Sequence, residues 1–383
     1  MCHPVTLVRR LRGPARMRRV LIALLIFAAC DSGESEPISK DEARARGGKS
    51  DDGIDLCEWL GWYGDGICDD FCPLPDPDCP PAAECDPFGA REDAPELLIG
   101  PDDWATGVVA AIAGAEDSID MLMYQLSRDD AVDALVDAAG RGVVVRVVLD
   151  RNQPVNAEAR ETLTAAGIEV RSSSPDFRFA HAKLLVVDQA SAIILSGNLN
   201  GSSLFERNYG VVDRDADDLA DAQAVFDADW EASGGAAIQP DLSCSRLVVS
   251  PINARERLAA LYAGAEERLD VALMSITDRP LLDSLEARAA AGVPVRVLLA
   301  VPSFVSANQK TADELAGRGI PVKFMEHLHA KLVLADDVAF VGSENMSTTS
   351  LDRNREVGLF VAGDAAAAAS AQFEADWTAG LEP

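Results

Sequence analysis

His181-Ala182-Lys183-Leu184-Leu185-Val186-Val187-Asp188 and His329-Ala330-Lys331-Leu332-Val333-Leu334-Ala335-Asp336 are one pattern written twice. In each, the lysine follows the histidine by two positions and the aspartate follows the lysine by five. An apolar run bounded by polar residues reads as a buried strand. Residues two apart on a strand share a face, so each His–Lys pair points one way, and the small Ala182 and Ala330 point inward. An Asn-bearing turn follows each segment: Gly197-Asn198-Leu199-Asn200 and Gly342-Ser343-Glu344-Asn345. The chain has only four histidines. Two of them in matched settings imply a single reaction that uses both.

The repetition extends outward. Pro101 opens one half and Pro251 the other. Ala113-Gly114-Ala115-Glu116 is answered by Ala263-Gly264-Ala265-Glu266, and the Val-rich run after Gly142 by the run after Gly292. Phe226-Asp227-Ala228-Asp229-Trp230 and Phe373-Glu374-Ala375-Asp376-Trp377 close the halves on helices. Within each half, apolar strands alternate with helical patterns: strands near 118–124 and 143–149, helices near 130–140 and 156–166, then the His-bearing strand and a partner at 191–196. Continuous apolar strands between helices argue for an α/β fold with both sheet faces covered. We therefore expect two α/β sandwich halves, 86–240 and 241–383, related by a pseudo-twofold axis that brings equivalent edges together.

That symmetry would gather two imidazoles and two ammonium groups in one pocket, with Asn200 and Asn345 adding amide donors. Such a set suits a phosphate group. Two histidines over one phosphorus suggest divided labour: one forms a phosphohistidine, the other protonates the leaving oxygen and then activates water. Glu356 follows His329 at the interval that separates Asn208 from His181. A carboxylate on an imidazole favours its charged form, which assigns His329 as the acid and His181 as the nucleophile.

The paired His-x-Lys segments, each with Asp five positions after the Lys and a Gly-Ser-x-Asn-like turn, resemble the phospholipase D superfamily over about residues 95–383. The resemblance implies a bilobal α/β sandwich, a phosphohistidine intermediate, and no required metal or cofactor. The second copy fits through His329, Lys331, Asp336, Gly342, Ser343, Asn345 and Glu356. The first departs from it: Asn198 stands for the usual Ser, the turn comes late after Asp188, and Asn208 replaces the acid. Asp188 and Asp336 are expected to fix loops behind their strands. Ser343 either donates to phosphate or caps its turn. His327 shares the strand face of His329 and either lines the entrance or is incidental. Tyr124, Trp230 and Trp377 are assigned to the core.

The chain's 383 residues and 48 % hydrophobic content suit a globular protein. Its net charge of -29 disfavours broad nucleic-acid binding, which needs clustered Lys and Arg. Six arginines between Arg9 and Arg19 precede an apolar run from Val20 to Ala29. The run is short for a bilayer span and suits an export signal. Phe27-Ala28-Ala29-Cys30 resembles a bacterial lipoprotein signal, which implies lipidation of Cys30 after removal of residues 1–30. Met17 is an alternative start. Residues 31–56 are polar and read as a flexible tether. Cys57, Cys68, Cys72, Cys79 and Cys85 crowd into residues 57–85, with Cys244 downstream. Set apart from Cys2 and Cys30, these six suit three disulfides, with a zinc site as the rival reading. Asp65, Asp69, Asp76 and Asp78 are ordinary turn residues or, by a weak resemblance to Notch-type repeats, calcium ligands.

The function expected is hydrolysis of phospholipid headgroup phosphodiesters by an exported, envelope-anchored or secreted enzyme working at a membrane surface, with transfer to an alcohol as a second outcome. Alternatives are a nuclease or a cardiolipin-synthase-type transferase of the same superfamily, or a non-catalytic phosphate-binding module. Two motifs in one chain let a monomer suffice. The expected entrance segments, near 151–158, 172–180 and 301–308, carry no recognisable specificity code.

Overall fold

The computed structural model describes residues 38–383, apart from 45, 51–52, 70, 74–76, 78–90, 102–103 and 237–238. The expected signal, Cys30, Cys79 and Cys85 lie outside the described residues. The chain divides into two units, Met1–Ala83 and Glu84–Pro383.

In the first unit the segment expected as a tether holds a short helix, Lys40–Arg44. The Lys40 ammonium reaches Asp65 at 2.8 Å and also pairs with Asp69, so these acids of the Cys-rich segment engage a lysine. Asp55 caps the helix Leu56–Leu60 by accepting the Cys57 and Glu58 N–H groups. A disulfide joins Cys57 to Cys72. Cys68 and Cys244 are disulfide-bonded as well.

The second unit contains two seven-stranded mixed sheets of the same topology. The first consists of β1 (Glu96–Ile99), β2 (Ser118–Met123), β3 (Val144–Leu149), β4 (Glu169–Ser172), β5 (Lys183–Val187), β6 (Ser191–Leu195) and β7 (Tyr209–Asp213). The second consists of β8 (Leu247–Ser250), β9 (Leu269–Leu273), β10 (Val295–Ala300), β11 (Val322–Met325), β12 (Lys331–Ala335), β13 (Val338–Gly342) and β14 (Glu356–Val361). Their orders are β1-β7-β6-β5-β2-β3-β4 and, read in the equivalent direction, β8-β14-β13-β12-β9-β10-β11. The motif strands β5 and β12 occupy the two centres. Parallel pairs β2–β3 and β9–β10 are joined by the helices Asp129–Arg141 and Arg279–Ala290, as parallel crossovers require.

The halves meet through sheet faces, not through the edges expected from sequence. One continuous core holds Ala182, Leu184 and Val186 of the first half with Ala330, Leu332 and Leu334 of the second, and also Phe226 and Phe373. Burying apolar faces of both sheets against each other removes far more surface from water than an edge pairing would. Separate outer cores lie between each sheet and its own helices. The helices Ala216–Ser233 and Gly363–Ala379 supply the stacked pairs Phe226–Trp230 and Phe373–Trp377. Arg146 and Arg296 lie over those rings and pair with Asp120 and Asp270 at 2.6 and 2.7 Å. Trp230 is core as expected, and Trp377 is half-buried.

Candidate active site

Each motif histidine lies just before its strand, since β5 and β12 begin at the lysines. The histidine backbones are held by the opposite half. His181 N–H donates to Arg355 O at 2.8 Å, and His329 N–H donates to Arg207 O at 3.1 Å. The return bonds, Arg355 N–H to Phe179 O and Arg207 N–H to His327 O, complete two reciprocal links. Arg207 pairs with Asp376 of the other half at 2.9 Å, and Arg355 with Asp229 at 2.9 Å.

The side chains follow the same exchange. His181 Nδ1 lies 2.6 Å from Glu356 Oε2. Glu356 was expected beside His329; it contacts His181 instead, because β14 feeds its first residue across the interface. His329 Nδ1 lies 3.0 Å from Asn208 Oδ1. Lys183 and Lys331 each donate to the carbonyl of their own histidine and bring Nζ within 3.1 Å of its Nδ1. Lys331 also donates to Ser196 O at 3.3 Å. His181, Lys183, His329, Lys331 and Glu356 are all buried. Lys183 and Lys331 each bear electrostatically on both imidazoles, so the two motifs form one electrostatic cluster.

Residues behind the histidines are exchanged too. In the first half the order is Glu206-Arg207-Asn208; in the second it is Asn354-Arg355-Glu356. Asn208 Nδ2 donates to Glu206 Oε2 at 3.3 Å, and Asn354 Nδ2 donates to Glu356 Oε1 at 2.9 Å. Ser350 Oγ donates to the same Glu356 oxygen at 2.6 Å. Each histidine therefore has one amide and one carboxylate. His181 touches its carboxylate; His329 touches its amide, with Glu206 3.8 Å away.

Burial sets the protonation states. It pulls His181 down to about 4, and Lys183 reinforces this against the opposing pull of Glu356. The short contact with Glu356 is thus a neutral ring donating Nδ1–H to a carboxylate, which leaves Nε2 with a free lone pair. Burial also brings Lys183 down to about 7, and holds His329 and Lys331 well below their ordinary values. Glu356 suffers the same desolvation, but the hydrogen bond from His181, the nearby Lys183 and the hydrogen bond from Asn354 outweigh it and keep the carboxyl low. Glu344 is the opposite case: burial and the Glu356 charge raise it well above the usual carboxylate range. Neither Glu344 oxygen has a hydrogen-bond partner among the described residues.

The turns correct the sequence alignment. Ser196 N–H donates to Tyr209 O, and Ser343 N–H donates to Val357 O. Ser196 Oγ and Ser343 Oγ accept the N–H groups of Tyr209 and Val357. Ser196 is therefore the counterpart of Ser343, and Asn198 that of Asn345. Three residues, 188–190, link β5 to β6, whereas two, 336–337, link β12 to β13; the extra one displaced the register. Asn200, expected as a site amide, lies two residues beyond that counterpart position and is engaged elsewhere. It caps a short turn by accepting Ser203 N–H and donates to Gln125 Oε1 at 2.8 Å. Asn198 is buried, and the Oδ1 atoms of Asn198 and Asn345 both lack partners among the described residues.

Other residues fall as follows. Asp188 accepts the N–H groups of Glu116, Asp117 and Ser118 at 2.7–3.1 Å, and Asp336 those of Glu266, Glu267 and Arg268 at 2.7–3.3 Å. Both fasten loops behind the sheets, at the left-handed φ of 54° that Asp tolerates. Ser343 is fully buried against the β14 backbone. Tyr124, expected in the core, packs edge-on to His181 with ring centroids 4.4 Å apart. Desolvation by burial takes its hydroxyl up to about 12. Sequence reasoning missed Asn198, Glu206, Glu344, Asn354 and Ser350; the reversed order of Glu206-x-Asn208 and Asn354-x-Glu356 was the available signal for two of them.

The family model described as "Cardiolipin synthase, PLD-like domain" matches residues 108–230 and again 258–377, one match per half. The chain belongs to the phospholipase D superfamily. Within that superfamily it is 27 % identical over 288 residues to cardiolipin synthase 2 of Bacillus cereus, covering 62 % of this chain and 55 % of that protein. It is 25 % identical over 264 residues to a polyphosphate kinase of Klebsiella pneumoniae, covering 63 % of this chain and 38 % of that one. The chain thus spans roughly two-fifths to just over half of these curated relatives. Among solved structures, phosphatidylserine synthase of Haemophilus influenzae aligns with a TM-score of 0.59 at 12 % identity, over 74 % of this chain and 86 % of that one. Polyphosphate kinase of Porphyromonas gingivalis aligns at 0.56 and 17 %, over 73 % and 46 %. Both likenesses bear on the fold, two mixed α/β halves in one superfamily architecture.

Proposed function

We propose that this superfamily member is a phosphodiesterase that cleaves phospholipid headgroup diesters through a phosphohistidine on His181. The observation that carries the reading is the crosswise contact of Glu356 with His181, opposed by the amide contact of Asn208 with His329. By the criterion applied to the sequence, the carboxylate would mark His181 as the acid. A stronger criterion reverses this. Attack by Nε2 leaves a cationic phosphoimidazolium whose Nδ1–H already points at a carboxylate, so Glu356 stabilises the intermediate. The assignment of roles is kept, on a different ground.

In the first step His181 Nε2 bonds to phosphorus, the P–O bond to the headgroup breaks, and the leaving oxygen takes a proton from His329. The negative diester entering between two ammonium groups favours the charged form of His329. Lys183, Lys331 and the amides of Asn198 and Asn345 hold the non-bridging oxygens. In the second step His329 takes a proton from water, the hydroxide displaces His181, and the cycle closes. An alcohol in place of water gives phosphatidyl transfer.

The test is headgroup release from purified phospholipid in the presence of a chelator, with acid-free quenching to trap the intermediate. Phosphate on the peptide containing His181 supports the reading. Phosphate on the His329 peptide reverses the roles, and turnover of single-stranded DNA with inert lipid replaces the substrate class.

A further inference from the structure

Asn200, Gln125, Gln153 and Tyr124 form a chain of hydrogen bonds that ends beside His181. Asn200 Nδ2 donates to Gln125 Oε1 at 2.8 Å, Gln125 Nε2 to Gln153 Oε1 at 2.8 Å, and Gln153 Nε2 to the Tyr124 hydroxyl at 2.7 Å. An amide side chain can sit either way round, but here one backbone group fixes all three. Ser203 N–H can only donate, and it donates to Asn200 Oδ1 at 3.2 Å. Asn200 therefore faces Gln125 with its NH2 group, Gln125 answers with oxygen, and the same polarity passes through Gln153 to Tyr124. The Tyr124 oxygen is the terminal acceptor, and its own hydrogen is left to donate outward. Among the described residues, the bond it accepts from Gln153 is its one hydrogen bond.

The tyrosine touches the catalytic pair. Its ring lies edge-on to His181 with centroids 4.4 Å apart, and Lys183 Nζ is 5.1 Å from its centre. Its backbone N–H donates to Ala182 O, between those two residues, at 3.2 Å. Tyr124 is half-buried, as are Gln125, Gln153 and Asn200. Burial, then the charges of Asp150 and Glu356, take the hydroxyl up to about 12, so it keeps its hydrogen at neutral pH. The other half has no such chain. Met274 N–H donates to Ala330 O as Tyr124 N–H does to Ala182 O, which makes Met274 the counterpart of Tyr124 and Ser275 that of Gln125. Ser347 holds the place of Asn200, capping Ser350 N–H as Asn200 caps Ser203 N–H.

We propose that Tyr124 is a further catalytic residue whose O–H donates to a phosphoryl oxygen of the group carried on His181, and that Gln153, Gln125 and Asn200 are positioning residues that aim it. This rests on the proposed role of His181 as nucleophile. A neutral donor already aimed at the site stabilises the charge that gathers on the phosphoryl oxygens as Nε2 attacks. Hydrogen bonds in a chain polarise one another, so a hydroxyl whose oxygen already accepts is the stronger donor.

Tyr124→Phe keeps the ring against His181 and removes only the hydroxyl. On a soluble p-nitrophenyl phosphodiester, kcat is expected to fall about 10- to 100-fold with KM changing less. Asn200→Asp is the remote test. The carboxylate still caps Ser203 but cannot donate, so Gln125 and Gln153 turn over and the Tyr124 hydrogen is drawn inward to Gln153. Its loss should match that of Tyr124→Phe and add nothing to it in the double variant. Asn200→Ser, the residue that the other half carries there, caps the turn without directing the chain and should lose only about twofold. Unchanged kcat in Tyr124→Phe or in Asn200→Asp, additive losses in the double variant, or equal losses in the two Asn200 variants overturn the proposal. If no diester is turned over, the proposed activity fails, and calorimetric titration with inorganic phosphate still decides the donor. Weaker binding by Tyr124→Phe and Asn200→Asp than by the intact chain and Asn200→Ser upholds it. Equal binding by all four, or no binding, overturns it.

Discussion

The carboxylate of Glu356 stands 2.6 Å from Nδ1 of His181, and the two residues come from opposite halves of the chain. Glu356→Gln keeps the shape but can present an amide N–H to Nδ1, moving the ring proton to Nε2 and blocking attack. We expect kcat to fall by roughly 10²–10⁴-fold with KM little changed. Undiminished kcat would remove Glu356 from the positioning of His181.

Exchanging the first-half pair, Glu206→Asn with Asn208→Glu, would place a carboxylate against His329 as the second half does against His181. A contacting anion favours the protonated ring. The alkaline limb of the kcat profile should then move to higher pH. A limb that stays in place would mean that His329 is not the acid in the enzyme–substrate complex.

For the free enzyme, kcat/KM reports the neutral His181, the Lys183 ammonium and protonated His329, which burial holds well below its ordinary value. The attacking ring must be neutral, which holds above about pH 4. The Lys183 ammonium is present below its depressed value of about 7 and is lost as pH rises through it. The profile should therefore fall on both sides, by at least tenfold per pH unit on the alkaline flank, where His329 also loses its proton. Activity that climbs steadily to pH 9 would contradict a cationic role for Lys183.

Glu344 is a buried acid whose value lies well above the usual 4.5. The folded state thus holds a proton that the unfolded chain releases, and stability declines as pH rises above 4.5. Glu344→Gln should remove that decline. In urea unfolding the variant is expected to gain on the parent progressively from pH 5 to pH 7. A parallel pair of curves would show that Glu344 is ionised in the folded chain.

Asp188→Asn and Asp336→Asn retain the left-handed turns but weaken three charge-assisted acceptors each. Each should cost about 1–2 kcal/mol at pH 7. Desolvation raises these carboxyls, but the backbone N–H groups outweigh it and lower both below 3.8. Their contribution is therefore present above that value and fades as pH falls. Urea midpoints at pH 7 and pH 3 measure it; an equal penalty at both would point to shape and not charge.

What could be read from sequence was whatever repeats locally. The His–Lys–Asp spacing, the strands from Ser118 and Val144 and the closing aromatic helices follow from short-range periodicity, and the structure bears them out. What could not be read was set across the interface. Glu356 was placed with His329 because the two are near in sequence, whereas the strand that carries it serves the other half. Asn200 was taken for Asn198 because a single extra residue after Asp188 slides the turn. Tyr124 looked apolar among Met121, Leu122 and Met123, but it closes the strand where the sheet opens onto the site.

The exchanged order of Glu206-x-Asn208 and Asn354-x-Glu356 has an evolutionary implication. Two identical subunits would confront each imidazole with the same neighbour, and any substitution would strike both. Joining the copies into one polypeptide lets each member of the pair drift alone, so that donor and attacker can be tuned separately.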